Sequence, residues 1–151
     1  MKKLTTLLAL IILFSCSTDD SVTDYTVSNE KEIQTYLEDN NLAAQKSANG
    51  LYYIINNEGT GVRPSSSSNV TVAYKGYFTN ETVFDESDEA GISFYLNQVI
   101  TGWTEGIQLF KEGGNGVLIV PSRLAYGNSG RPGIPGGSVL VFDVNLISVN
   151  K

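Results

Sequence analysis

The strongest constraint on the fold is a series of short runs rich in β-branched and aromatic residues: "LYYII" at 51–55, "VTVAYKGYF" at 70–78, "ISFYL" at 92–96, "GVLIV" at 116–120 and "VLVFDVNLI" at 139–147. Each is too short for a substantial helix and is flanked by Gly, Pro, Asn or Ser, so each predicts a strand. In the last run Leu140, Phe142, Val144 and Leu146 fall on one side, while Asp143 and Asn145 fall on the other. Side chains alternate across a strand, so this pattern demands a sheet with one dry face and one partly wet face.

A dry face needs a cover, and "VITGWTEGIQLFKEGG" at 99–114 supplies one. Trp103, Ile107 and Phe110 recur at helical spacing, and paired glycines end the run. A short helix laid across an antiparallel sheet closes a small core, giving an α+β domain over residues 49–151. A second helix is expected over "EKEIQTYLEDNN" at 30–41, with Asn29 as its cap, Glu32 completing a capping box, and Ile33, Tyr36 and Leu37 on one side. It forms a helical extension at 28–48, which either docks on the main domain or serves a partner.

The first residues have a different character. Lys2 and Lys3 precede an apolar run, Leu4 to Phe14, that is too short to span a bilayer and reads as an export signal. Cys16 follows "LFS", and "LFSC" resembles a bacterial lipoprotein box, which implies a signal peptide at 1–15, lipidation of Cys16 and a tether at 16–27. The expected location is the outer membrane, held by acyl chains, facing the periplasm or the cell surface. "STDD" at 17–20 is similar to the short acidic signals of surface-displayed lipoproteins.

Charge and residue types then exclude several functions. Of ten Lys and Arg, two lie in the signal, which leaves eight against sixteen Asp and Glu, a net charge near −8. With no clustered cations, nucleic acid is not an expected partner. The loop "YGNSGRPGIPGG" at 126–137 is glycine-rich but lacks the Lys-Ser/Thr ending of a phosphate loop and opens no helix. There is no histidine, Cys16 is committed to lipid, and no Asp/Glu set has calcium-loop spacing, so no metal or cofactor is expected. Without histidine the Ser-His-acid relay is also closed.

The remaining candidates are Tyr74, Phe84, Ile92, Val99, Ile100, Trp103, Tyr126, Ile134 and Phe142, drawn from strand ends, the short helix and the loop. Each fits core packing as well as a binding wall. Asp85, directly after Phe84, needs a polar partner such as a tyrosine hydroxyl or water if the set lines a concave site.

"VTVAYKGYF", "VFDES", "QVITGWTEGIQLFKEGG" and "LIVPSRLAYGNSGRPGIPGGSVLVFDVNLI" occur in that order over residues 50–148 and resemble the successive signatures of FK506-binding-protein-type peptidyl-prolyl isomerases. The preceding "EIQTYLEDNNLAAQKSANGLYYII" is similar to the extension of outer-membrane members from Bacteroidetes. The resemblance implies a curved antiparallel sheet wrapped around one short helix, with a shallow apolar pocket that accepts a proline ring. On that reading Trp103 forms the pocket floor. Tyr74, Phe84, Ile92, Val99, Ile100 and Phe142 line it, Ile134 packs over the peptide, Tyr126 offers its hydroxyl to a substrate carbonyl, and Asp85 stands beside the rotating amide.

The implied activity is prolyl cis/trans isomerisation by a monomer acting on proline-containing peptides or unfolded exported proteins. The alternative is a non-catalytic module that holds such segments. Two departures from the family pattern stand out. "DESDEAG" carries only acidic charge where members often have an arginine, and Arg131 replaces a frequent histidine in a loop one residue short.

Overall fold

The computed structural model describes residues 23–150. Seven strands form one sheet: β1 (Gln45–Lys46), β2 (Tyr52–Asn57), β3 (Asn69–Phe78), β4 (Val83–Glu86), β5 (Ile92–Tyr95), β6 (Asn115–Val120) and β7 (Leu140–Asn150). Their order is β1-β2-β6-β7-β3-β4, with β5 also on β3, and every pairing is antiparallel. The five expected strands are present, and the additional β1 and β4 are among the shortest.

β3 and β7 are the longest strands and pair along almost their whole lengths. On its other edge β3 forks: Asn69 to Val72 pair with β5, and Lys75 to Tyr77 pair with β4. Ala73 and Tyr74 lie at the fork, where the Tyr74 backbone N–H donates to Ser87 Oγ and its carbonyl accepts from Ser87 N–H.

Helix α2 (Thr101–Ile107) lies on the concave face with Trp103 and Ile107 buried. It is shorter than its sequence pattern: Phe110 is fully buried, but from a turn beyond the helix. Close approach to β6 depends on two glycines one helical turn apart. A Cβ on Gly102 would strike Val120, and one on Gly106 would strike Leu118.

Helix α1 (Thr26–Asp39) docks on the opposite face. Ile33, Tyr36 and Leu37 pack with Tyr52, Ile119, Val139 and Val141. The outer face is therefore dry beneath α1 and wet farther along β7, where Asp143 and Asn145 are exposed. Polar contacts frame the docking: Tyr52 donates its hydroxyl to Glu30 Oε1, and Thr79 donates to Glu32 Oε1 at 2.6 Å.

The expected start of this helix needs correction. It begins at Thr26, whose backbone N–H donates to Asp24 Oδ1, and Tyr25 precedes it without a side-chain cap. Asn29 caps nothing; it is buried inside the helix on the same face as Ile33. Glu32, instead of closing a capping box, bonds Thr79. Tertiary partners outcompeted the local cap, and ordered contacts reach back to Thr23, inside the segment expected to be tether. The expected signal peptide, Cys16 and most of the expected tether lie outside the described residues.

In an exposed helix, Gly102→Ala would add about 1 kcal/mol of helix propensity. Here overpacking against Val120 costs about 1–3 kcal/mol, so we expect net destabilisation. Urea unfolding should show a lower midpoint with an unchanged slope.

Candidate active site

The cavity of interest, about 370 Å³, opens over the N-terminal end of α2. Trp103 is buried there within a cluster of rings. Its indole meets Tyr74 edge-on at 4.9 Å, Phe142 edge-on at 5.2 Å and Phe94 at 5.4 Å. Phe84 meets Phe142 edge-on at 5.6 Å, and these edge-on contacts have the orientation that ring quadrupoles favour. Gly76, between Lys75 and Tyr77 on β3, makes room for this stack: a Cβ there would lie 2.8 Å from Phe84 and 2.9 Å from Phe142. The Trp103 Nε1–H is buried and has no acceptor among the described residues.

Each wall comes from a different element. Tyr74 stands at the fork of β3, Phe84 and Asp85 come from β4, and Ile92 and Phe94 come from β5. Gln98, Val99 and Ile100 descend into α2, where the Ile100 carbonyl accepts from the Trp103 N–H at 2.9 Å. Phe142 on β7 pairs in register with Gly76, and Tyr126 and Arg131 reach in from the long β6–β7 loop.

Asp85 Oδ2 accepts a hydrogen bond from the Tyr74 hydroxyl at 2.7 Å. Burial first, and then this bond, raise the Tyr74 pKa above the usual tyrosine value, so the hydroxyl remains a donor throughout the neutral range. Arg131 stacks over the Tyr126 ring at 4.7 Å, which adds a cation to the cavity lining.

Eight of the nine aromatic and apolar candidates share this cavity, together with Asp85. Ile134 does not. It is 3% exposed and packed in the main core, because the Arg131–Ile134 backbone bridge turns it inward beneath the loop. Sequence reasoning did not select Phe94, Gln98 and Arg131 as lining. Phe94 was accessible from strand periodicity, since it shares a face with Ile92. Gln98 lies in a single 3-10 turn with no pattern to reveal it.

Residues 61–147 match the family described as FKBP-type peptidyl-prolyl cis-trans isomerase. The Aeromonas hydrophila isomerase FkpA is 42% identical over 129 residues, covering 83% of this chain and 48% of that protein. The chain belongs to the FKBP-type peptidyl-prolyl cis-trans isomerase family.

Solved structures share the fold. FkpA from Escherichia coli has a TM-score of 0.74 at 41% identity, covering 82% of this chain and 60% of that one. A peptidyl-prolyl isomerase from Pseudomonas syringae has a TM-score of 0.73 at 29% identity, covering 85% and 98%. The chain spans about half the length of the curated FKBP-type relatives it matches. The family match contains every lining residue from Tyr74 to Phe142, whereas α1, β1 and β2 precede it.

The raised tyrosines make a pH prediction. Tyr77, which donates to Asp143, is raised like Tyr74, first by burial and then by Tyr36 and Asp143. An unfolded phenol ionises near pH 10. The stability these two groups contribute is therefore present below about pH 10 and is lost as pH rises through their higher folded values. In an alkaline absorbance titration their phenolate signal should appear together with unfolding, as a steep step that Tyr74→Phe diminishes.

Proposed function

We propose that the domain accelerates cis/trans exchange at X-Pro bonds in exported proteins. What carries the reading is a ring-walled apolar cavity with a buried indole floor and a few polar groups at its mouth, in a chain of the FKBP-type family. An X-Pro bond exchanges in tens to hundreds of seconds because amide conjugation sets a barrier of about 18–20 kcal/mol. No covalent bond needs to form. The site has only to bind the twisted amide better than either planar isomer.

Trp103 takes the proline ring on its face, with Tyr74, Phe84, Val99, Ile100 and Phe142 around it and Ile92 at the outer edge. Moving the amide from water into this setting disfavours the charge-separated planar form. The Tyr126 hydroxyl donates to the carbonyl oxygen as it turns, and Asp85, oriented by Tyr74, stands beside the rotating amide. Ile134 supports the loop from below. The substrates are proline-containing segments of unfolded exported proteins, and the domain works as a monomer.

The lipoprotein reading belongs to the same proposal. The basic-apolar start and the "LFSC" motif support cleavage before Cys16 and its lipidation, with anchoring at the outer membrane. Replacing Cys16 by Ala should then move the protein from the membrane fraction to the soluble fraction.

In a protease-free assay on a short X-Pro peptide, the folded chain should accelerate exchange clearly above buffer. Tyr126→Phe removes one hydrogen bond and should lower kcat/KM roughly three- to tenfold. Trp103→Leu should lower it at least tenfold, on the order of 1.4 kcal/mol or more. A folded chain that binds the peptide without accelerating exchange would replace catalysis with the holding function.

A further inference from the structure

A closed ring of hydrogen bonds joins α1 to the loop that carries Tyr126. Ser122 N–H donates to Asn29 Oδ1 at 2.8 Å. Gly127 N–H donates to the Ser122 carbonyl at 2.8 Å, and Gly137 N–H to the Gly127 carbonyl at 2.9 Å. Asn29 Nδ2 then donates to the Gly137 carbonyl at 2.7 Å and closes the circuit. Tyr126 lies within it, one residue before Gly127. Asn29 is 2% exposed, so its amide is committed to these two backbone groups.

Two more contacts tie the same pieces together. Asn128 Nδ2 donates to the Thr23 carbonyl at 2.6 Å. Tyr25 packs so closely on Gly137 that a Cβ there would collide with its ring; Gly137 also has φ 79°, a left-handed backbone. The loop needs such anchoring. It has no regular strand between Val120 and Leu140, and Gly127, Gly130 and Gly133 also adopt positive φ, so its freedom when unanchored is large.

We propose that Asn29 is a positioning residue for the active-site loop. It acts through Ser122 and Gly137 to hold Tyr126 and Arg131 at the cavity mouth, and so makes the segment before the family match part of the site's framework. The simpler role, satisfying two buried backbone groups so that α1 can dock, predicts lost stability and nothing else. Positioning predicts a kinetic loss in protein that is still folded. Because the Tyr126 contact is made as the amide twists, the loss belongs in kcat more than in KM.

The proposal rests on the activity proposed above, and the test separates the two. Asn29→Ala and Ile33→Ala are made in the full chain. Both weaken α1 docking, but Ile33, one turn along the same face of α1, packs in the apolar cluster and its side chain holds none of the ring's hydrogen bonds. Well below either melting temperature, Asn29→Ala should lower kcat about five- to tenfold with little change in KM. Amide hydrogens of Gly127 and Gly137 should exchange on the order of tenfold faster. Ile33→Ala should lower Tm while leaving both readouts as in the wild type.

Unchanged kcat and unchanged loop exchange in Asn29→Ala would overturn positioning, as would an equal kinetic loss in Ile33→Ala. If the wild-type chain binds peptide without catalysis, the activity reading fails. Loop exchange and peptide titration by Trp103 fluorescence then decide alone: faster exchange with weaker binding supports positioning, and no change overturns it. Where the alanine variant does not fold, Asn29→Asp serves with the same readouts, because it keeps the acceptor for Ser122 and removes the donor to Gly137.

Discussion

The long antiparallel pairing of β3 with β7 is the constraint on which the rest of the molecule depends. It joins segments about seventy residues apart in sequence and sets Gly76 opposite Phe142 and Tyr74 opposite Val144. A slip of one residue would turn Phe142 out of the cavity and Asp143 into the core, since side chains alternate across a strand. The apolar inner face of β7 makes that slip costly. Register and cavity geometry are therefore the same decision.

The other edge of β3 turns this spine into a site. Because β4 and β5 pair with different parts of it, the sheet opens at Tyr74, and residues from both short strands converge on the gap. Helix α2 then enters beneath the opening, brought close by Gly102 and Gly106, and Trp103 becomes a floor rather than an isolated core ring. The two helices occupy opposite faces: α2 builds the cavity, while α1 seals the far face and ties the loop ends through Asn29.

Stability comes mainly from these apolar contacts. The ion pairs Lys46–Glu30, Arg63–Glu58 and Lys111–Glu58 involve partly exposed side chains, where water and salt screen most of the attraction. The polar groups of greater consequence are those inside or at the cavity. The Tyr74–Asp85 bond orients a carboxylate, and the buried Trp103 N–H has no acceptor among the described residues.

The main strands and the existence of both helices were legible because period two and period 3.6 are written into the chain by hydrophobic burial itself. Eight aromatic and apolar lining residues and Asp85 were legible too, as members of a family pattern more than as consequences of periodicity, whereas Phe94, Gln98 and Arg131 were not. Local pattern misread Asn29, since an Asn before "EKEI" looks like a cap and only its remote partners Ser122 and Gly137 reveal its role. The family resemblance implied that Ile134 packs over the peptide, whereas its side chain is buried in the main core beside the Arg131–Ile134 bridge. Sequence alone determined which segments carry an apolar face and hence the α+β class. Tertiary structure decided where the loop points, which helix braces it and which residues share the cavity, because those choices depend on hydrogen bonds and packing between groups as far as 108 residues apart.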